Sequence, residues 1–180
     1  GGAEKVIQTI ALGLEKRGHE ICVITTGKKD EVKEVNGIKV YYIKTRNIFS
    51  IIDIDKKNSF LRLVWWLVNF INFWDVRKIV NILEKEKVDV VHAHNLVGIS
   101  FLLPLFLKIV DGKYTQTVHD IQLVYPSGQL LWNEENKFIN RFFLRKWYEK
   151  LVRLYFGSPD VVISPSEWLM NFYEKKGFFR

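Results

Sequence analysis

The chain has 180 residues, a span that suits one domain or one half of a larger protein. Hydrophobic residues make up 48% of it, which excludes a disordered chain with nothing to bury. The formal net charge is +7 and there is one cysteine, Cys22, so no internal disulfide can form and the fold does not rest on oxidation, as in a cytoplasmic protein.

Residues 2–17 set Val6, Ile10, Leu12 and Leu14 among polar residues, the spacing of an amphipathic helix, and Gly18 stops it. Residues 19–27 read as a strand ending at a glycine, with Cys22 as a small core residue. Residues 36–45 form a second strand, opened by an Asn-Gly turn, and residues 46–57 a loop. A long helix is expected over 58–86. Its aromatic stretch holds Trp65, Trp66 and Trp74, which is ordinarily core; the other reading is a surface that meets lipid or an apolar acceptor. The longest apolar run, 63–74, is interrupted by Asn69 and Asn72 and falls short of the roughly 20 residues that span a bilayer.

Residues 88–94 read as a buried strand, and 97–110 as a helix with Pro104 in its first turn or at a kink. Residues 113–119 are the next strand, 120–136 a polar loop and 137–156 a basic, aromatic helix. The last strand is 160–165, and Ser166 caps a short helix to about residue 176. Strand and helix alternate almost throughout. That predicts an α/β fold with a doubly wound parallel sheet covered on both faces.

In such sheets ligands sit beyond the carboxyl ends of the strands. That rule collects four polar clusters. Gly1-Gly2 precedes the first helix, where backbone amides and the dipole favour an anion; a frayed end is the other reading. His92 and His94 share one side of an extended strand; His94, with Asn95 after it, lies nearer the strand end, and His92 reads as core. His119 can bond a sugar hydroxyl or donate to developing negative charge, and Asp120 can orient it, bind hydroxyls or cap a turn. Ser164 and Ser166 are the fourth cluster.

Lys137, Arg141 and Arg145 recur at four-residue spacing and share one helical face. That face suits an anionic membrane or phosphate; the other reading is a solvated surface. Nucleic acid is not expected, because the basic residues interleave with core-type Phe142, Phe143 and Trp147 and no nucleic-acid motif is present. No metal is expected either: His19, His92, His94 and His119 have no cysteine pair or HExxH beside them.

The segments GGAEKVIQTIALGLEKRGHEICVITTG, VDVVHAH, TVHD and PDVVISPSEWL, in this order, resemble the N-terminal half of a family 4 retaining glycosyltransferase of the GT-B type. The resemblance implies one of two Rossmann-like domains facing across a cleft. This half would mainly hold a sugar or lipid-linked acceptor. A second half with a paired-glutamate motif would hold the nucleotide-sugar donor. On that reading residues 1–180 are a fragment that lacks the strand before Gly1 and the donor-binding domain, and it is inactive alone. By resemblance, Gly1 and Gly2 would face the donor phosphates, and His119 would contact the donor sugar with Asp120 beside it. His94, Asn95, Ser164 and Ser166 would line the acceptor side. Tyr125-Pro126 stands where one subset of the family carries Cys-Pro, so that subset's acceptor does not carry over. No cofactor or metal is implied, since amide dipoles and basic groups can stabilise a departing diphosphate. The expected setting is cytoplasmic, on the inner face of a membrane, in the assembly of cell-envelope polysaccharide. The alternatives are another GT-B-like enzyme, such as a sugar-nucleotide epimerase, and a non-catalytic module that binds anions or membrane.

Overall fold

The computed structural model describes residues 2–108, 110, 112–126, 128 and 142–179, without the side chains of 52, 55 and 142–144. The chain divides into two compact units: Gly1–Val88 with Leu96–Leu102, and Asp89–Asn95 with Leu103–Arg180.

The first unit opens with α1 (Gly2–Glu15), which stops at Gly18 as expected: Gly18 N–H donates to the Glu15 carbonyl at 2.9 Å. Strands β1 (Cys22–Thr26), β2 (Glu31–Val35) and β3 (Ile38–Ile43) follow and pair in the order β1-β3-β2. β1 runs parallel to β3, whereas β2 is antiparallel to it. β2 is an antiparallel addition that the sequence reading does not identify. Asn36 and Gly37 both have positive φ, 54° and 82°, as the tight turn of a two-residue hairpin requires. The Asn-Gly turn therefore closes a hairpin instead of only opening a strand. Central β3 carries the buried side chains Ile38, Val40, Tyr41 and Ile43. Cys22, on the outer strand β1, is half-buried.

A 3-10 turn over Ile51–Lys56 stands in the expected loop, and the expected long helix is two, α2 (Ser59–Ile71) and α3 (Phe73–Glu86). The break has a local cause. The Asn72 side chain accepts from the Asp75 N–H at 3.2 Å and so caps α3, while its amide donates to the Asp75 carboxylate at 2.5 Å. Asn72 also leaves helical geometry, with ψ 76°. Along α3, Val76, Ile79 and Leu83 are buried at three- and four-residue spacing, which is the core stripe of an amphipathic helix. Trp65 on α2 is fully buried and its indole N–H donates to the Phe49 carbonyl at 2.9 Å. Trp74 is not core: it is 60% exposed, beneath the Arg46 guanidinium.

Asn69 holds the segment Leu96–Leu102 out of helical form. Its side-chain oxygen accepts from Gly98 N–H at 3.1 Å, and its carbonyl from Phe101 N–H at 3.2 Å. The helix expected over 97–110 is therefore only α4 (Leu103–Leu107), with Pro104 in its first turn.

The second unit contains α4 and the strands β4 (Val90–Ala93), β5 (Lys113–Thr117) and β6 (Val161–Ile163), paired in that order and all parallel. Two helices complete it, α5 (Phe142–Phe156) and α6 (Glu167–Lys175). On α5, Tyr148, Val152 and Phe156 recur every fourth residue and are buried. The α/β architecture with parallel strands fits a Rossmann-like half of a GT-B fold, arranged in the described residues as two three-stranded sheets.

Candidate functional site

Because β4, β5 and β6 are parallel, their carboxyl ends lie at one end of their sheet. His94 and Asn95 follow β4, His119 and Asp120 follow β5, and Ser164 and Ser166 follow β6. The sequence-predicted residues of this unit thus share the end where ligands bind in such sheets. Gly2 is the first residue of α1 in the other unit, and a Cβ there would meet nothing within 4 Å, so packing does not require the glycine. Gly1, Lys137 and Arg141 lie outside the described residues.

The histidines form a stack. The His92 and His94 rings are 4.3 Å apart at 29°, and those of His94 and His119 are 5.2 Å apart at 23°. His94 Nδ1 and His119 Nε2 share a hydrogen bond of 2.9 Å, and His92 Nε2 and Thr117 Oγ1 share one of 2.7 Å. His92 is therefore a member of the stack, half-buried, and not simply core. Burial, reinforced by His92 and His119, pushes His94 down to about 4. His94 is then neutral at pH 7, one ring nitrogen bearing hydrogen and the other a lone pair. The bond between the rings leaves His119 Nδ1 as the nitrogen not engaged by His94. No group of three or more His, Cys, Asp or Glu among the described residues is arranged to hold a metal ion.

Asp120 turns the chain as it leaves β5. Its Oδ1 accepts from Gln122 N–H at 2.8 Å, which is the turn-capping role. Burial holds its carboxyl above the ordinary range, against the opposing pull of Gln122 N–H and His119. Gly128 packs on its other side: a Cβ there would sit 3.3 Å from Oδ2, and Gly128 has φ +68°. Two tyrosines fix the same turn. Tyr173 of α6 donates to the Asp120 carbonyl at 2.5 Å, and Tyr148 of α5 donates to the Gln122 carbonyl at 2.7 Å. Beneath the stack, Gln116 donates to the His94 carbonyl at 2.8 Å.

Sequence reasoning missed Gln116, Thr117, Gly128, Tyr148 and Tyr173. For the first two a signal was present, since KYTQT is unusually polar for a buried strand. The tyrosines left none, because their partners are 26 and 53 residues away.

The serines serve the start of α6. Ser166 Oγ accepts from Leu169 N–H at 3.2 Å, as expected of a cap, and Ser164 Oγ donates to the Ser166 carbonyl at 2.9 Å. Asn95 is exposed. Arg145 is half-buried and its guanidinium is engaged by Tyr125, stacking 5.3 Å above the ring and donating to the hydroxyl at 3.1 Å.

The sequence model of glycosyltransferase family 4 matches residues 1–179, and the chain belongs to that family. An uncharacterised 42.6 kDa protein in the cps region of Klebsiella pneumoniae is 28% identical over 183 residues, covering 100% of this chain and 48% of its own length. An uncharacterised glycosyltransferase, MJ1607, of Methanocaldococcus jannaschii is 25% identical over 150 residues, covering 83% of this chain and 34% of its own. The chain thus spans about half the length of the first relative and about a third of the second.

Proposed function

We propose that the protein moves a sugar from a nucleotide-sugar donor to an acceptor hydroxyl with retention of configuration, and that this chain forms the acceptor side of the cleft. Glycosyl transfer in general follows from the family. The observation that carries the finer reading is the bond between His94 and His119 at the end of the parallel strands. It fixes the plane of the His119 ring and presents Nδ1 to a sugar at the position where such folds bind ligands. Asp120 sets the turn beside it. A donor-binding domain outside this chain would hold the nucleotide. The chemistry breaks the bond from the anomeric carbon to the diphosphate and forms one to the acceptor oxygen on the same face, with the hydroxyl proton leaving on phosphate. Its setting is the cytoplasm, which suits a chain whose one cysteine, Cys22, forms no internal disulfide.

The test is His119→Ala in the protein with its donor domain present. kcat should fall at least about tenfold, with a smaller change in KM for the donor, because one charge-assisted hydrogen bond is worth about 1.5–3 kcal/mol. His92→Ala, which removes the far member of the stack, should lower stability more than turnover. An undiminished kcat in His119→Ala overturns the assignment.

A further inference from the structure

β5 is polar where a strand buried in a parallel sheet is ordinarily apolar. Tyr114, Gln116 and Thr117 are all buried. Side chains alternate along a strand, so Tyr114 and Gln116 share one face of the sheet and Thr117 takes the other. On that other face Thr117 meets His92, and the histidine rings stack there. Gln116 therefore lies on the far side of the sheet from the rings.

The register of β4 and β5 ends with Ala93 opposite Gln116, and the next residue after Ala93 is His94. The Gln116 side chain carries the tie one residue further. Its amide nitrogen donates to the His94 carbonyl at 2.8 Å and to the Thr117 carbonyl at 2.9 Å. Carbonyls only accept, so the amide NH2 must face them. The Gln116 oxygen then turns to Tyr114, whose hydroxyl donates to it at 2.7 Å. Both amide hydrogens and the oxygen are engaged, which offsets the cost of burying the amide. An apolar residue would fill the same space without that cost, but it could not hold the His94 carbonyl where the chain leaves β4. The bond between His94 Nδ1 and His119 Nε2 is 2.9 Å long. A drift of about 0.5 Å between the two chain exits would carry it past the ordinary hydrogen-bond range.

We propose that Gln116, oriented by Tyr114, is a positioning residue of the site: by fixing the His94 carbonyl it holds the rings of His94 and His119 together. It acts through the His94 backbone and touches no substrate. Its effect on turnover rests on the sugar-transfer reading, whereas its effect on the ring pair does not.

The experiment compares the wild type with Gln116→Leu and with the double variant Gln116→Leu, Tyr114→Phe, in the protein with its donor domain present. The double variant removes both polar partners from the buried face together, so its melting temperature should stay close to that of the wild type. The first readout is the nitrogen–nitrogen coupling across the hydrogen bond from His94 to His119, measured by NMR with isotope-labelled histidine and assigned by its absence in His119→Ala. It should be present in the wild type and lost in both variants. The second is turnover, with whichever of UDP-glucose, UDP-galactose and GDP-mannose the wild type consumes. kcat should fall about tenfold in both variants and KM for the donor should change less than about twofold, as for a misplaced ring and not a lost binding contact. A wild type without the coupling, or a folded double variant that keeps it, overturns the proposal. So does an undiminished kcat in the double variant when His119→Ala lowers kcat. If His119→Ala also leaves kcat undiminished, the sugar-transfer assignment falls, and loss of the coupling still upholds Gln116 as the residue that positions the ring pair.

Discussion

The junction of α2 and α3 and the histidine stack are both polar clusters in an apolar setting, and they differ in closure. At the junction Asp75 is fully buried, Arg46 N–H reaches both its carboxylate oxygens at 2.9 and 3.2 Å, and Asn72 supplies a further donor. The polar groups answer one another and nothing faces outward. His92, His94 and His119 are half-buried and hold one another by stacking and one shared bond. Burial raises the Asp75 carboxyl and lowers His94, so both clusters disfavour charge, but only the second sits at strand ends where a ligand can arrive. On the proposed function, the sealed and satisfied cluster belongs to the scaffold and the half-sealed one at the strand ends to the chemistry.

The largest test of that contrast is Asp75→Ala. It leaves Arg46 N–H and the Asn72 amide without their acceptor, at an expected cost of about 2–4 kcal/mol in urea unfolding. The mutant should keep the chemistry of whatever fraction stays folded; a loss below about 1 kcal/mol would erase the distinction.

Tyr173→Phe probes the support of the site. It removes the hydroxyl that anchors the Asp120 carbonyl, for about 1–2 kcal/mol. On the proposed function, turnover should fall more than donor affinity, because the turn beside His119 loses its anchor. Equal falls in stability and none in kcat would make Tyr173 part of the scaffold only.

The smallest effect is on pH dependence. His94 binds a proton near its ordinary value when unfolded, and only at about 4 when folded. Between those values the unfolded state holds more protons, so stability is full above about pH 6.5 and is lost progressively as pH falls toward 4. Melting temperatures across this window should drop less steeply for His94→Gln than for the wild type. Parallel curves would show that the ring titrates as if it were outside the stack.

Much of the α/β pattern was legible because it rests on local rules. Gly18 stops α1 and Ser166 caps α6 where the sequence says they do. EVKEV escaped notice because β2 has no core face: Val32 and Val35 are 53% and 40% exposed, so periodicity had no buried side to report. The break at Asn72 and the unwinding of 96–102 depend on side chains of Asn72, Asp75 and Asn69 meeting backbone groups, which propensity cannot see. The ends of β4 and β5 could be named as a candidate site from strand polarity alone. That His94 and His119 touch, 25 residues apart, could not, because register is set by tertiary pairing.

The Asn36-Gly37 turn sets an order of difficulty for the folding chain. It joins strands that pair Val35 with Ile38, a loop of two residues whose closure takes about microseconds. The strands that present the histidines have no such shortcut, since His92 pairs with Thr115 and Thr115 with Val161. Closing those separations costs chain entropy before any contact offsets it. During synthesis from the amino end, the hairpin can be in place while β6 is still unmade, so the third strand of the histidine-bearing sheet is added late in the life of the nascent chain.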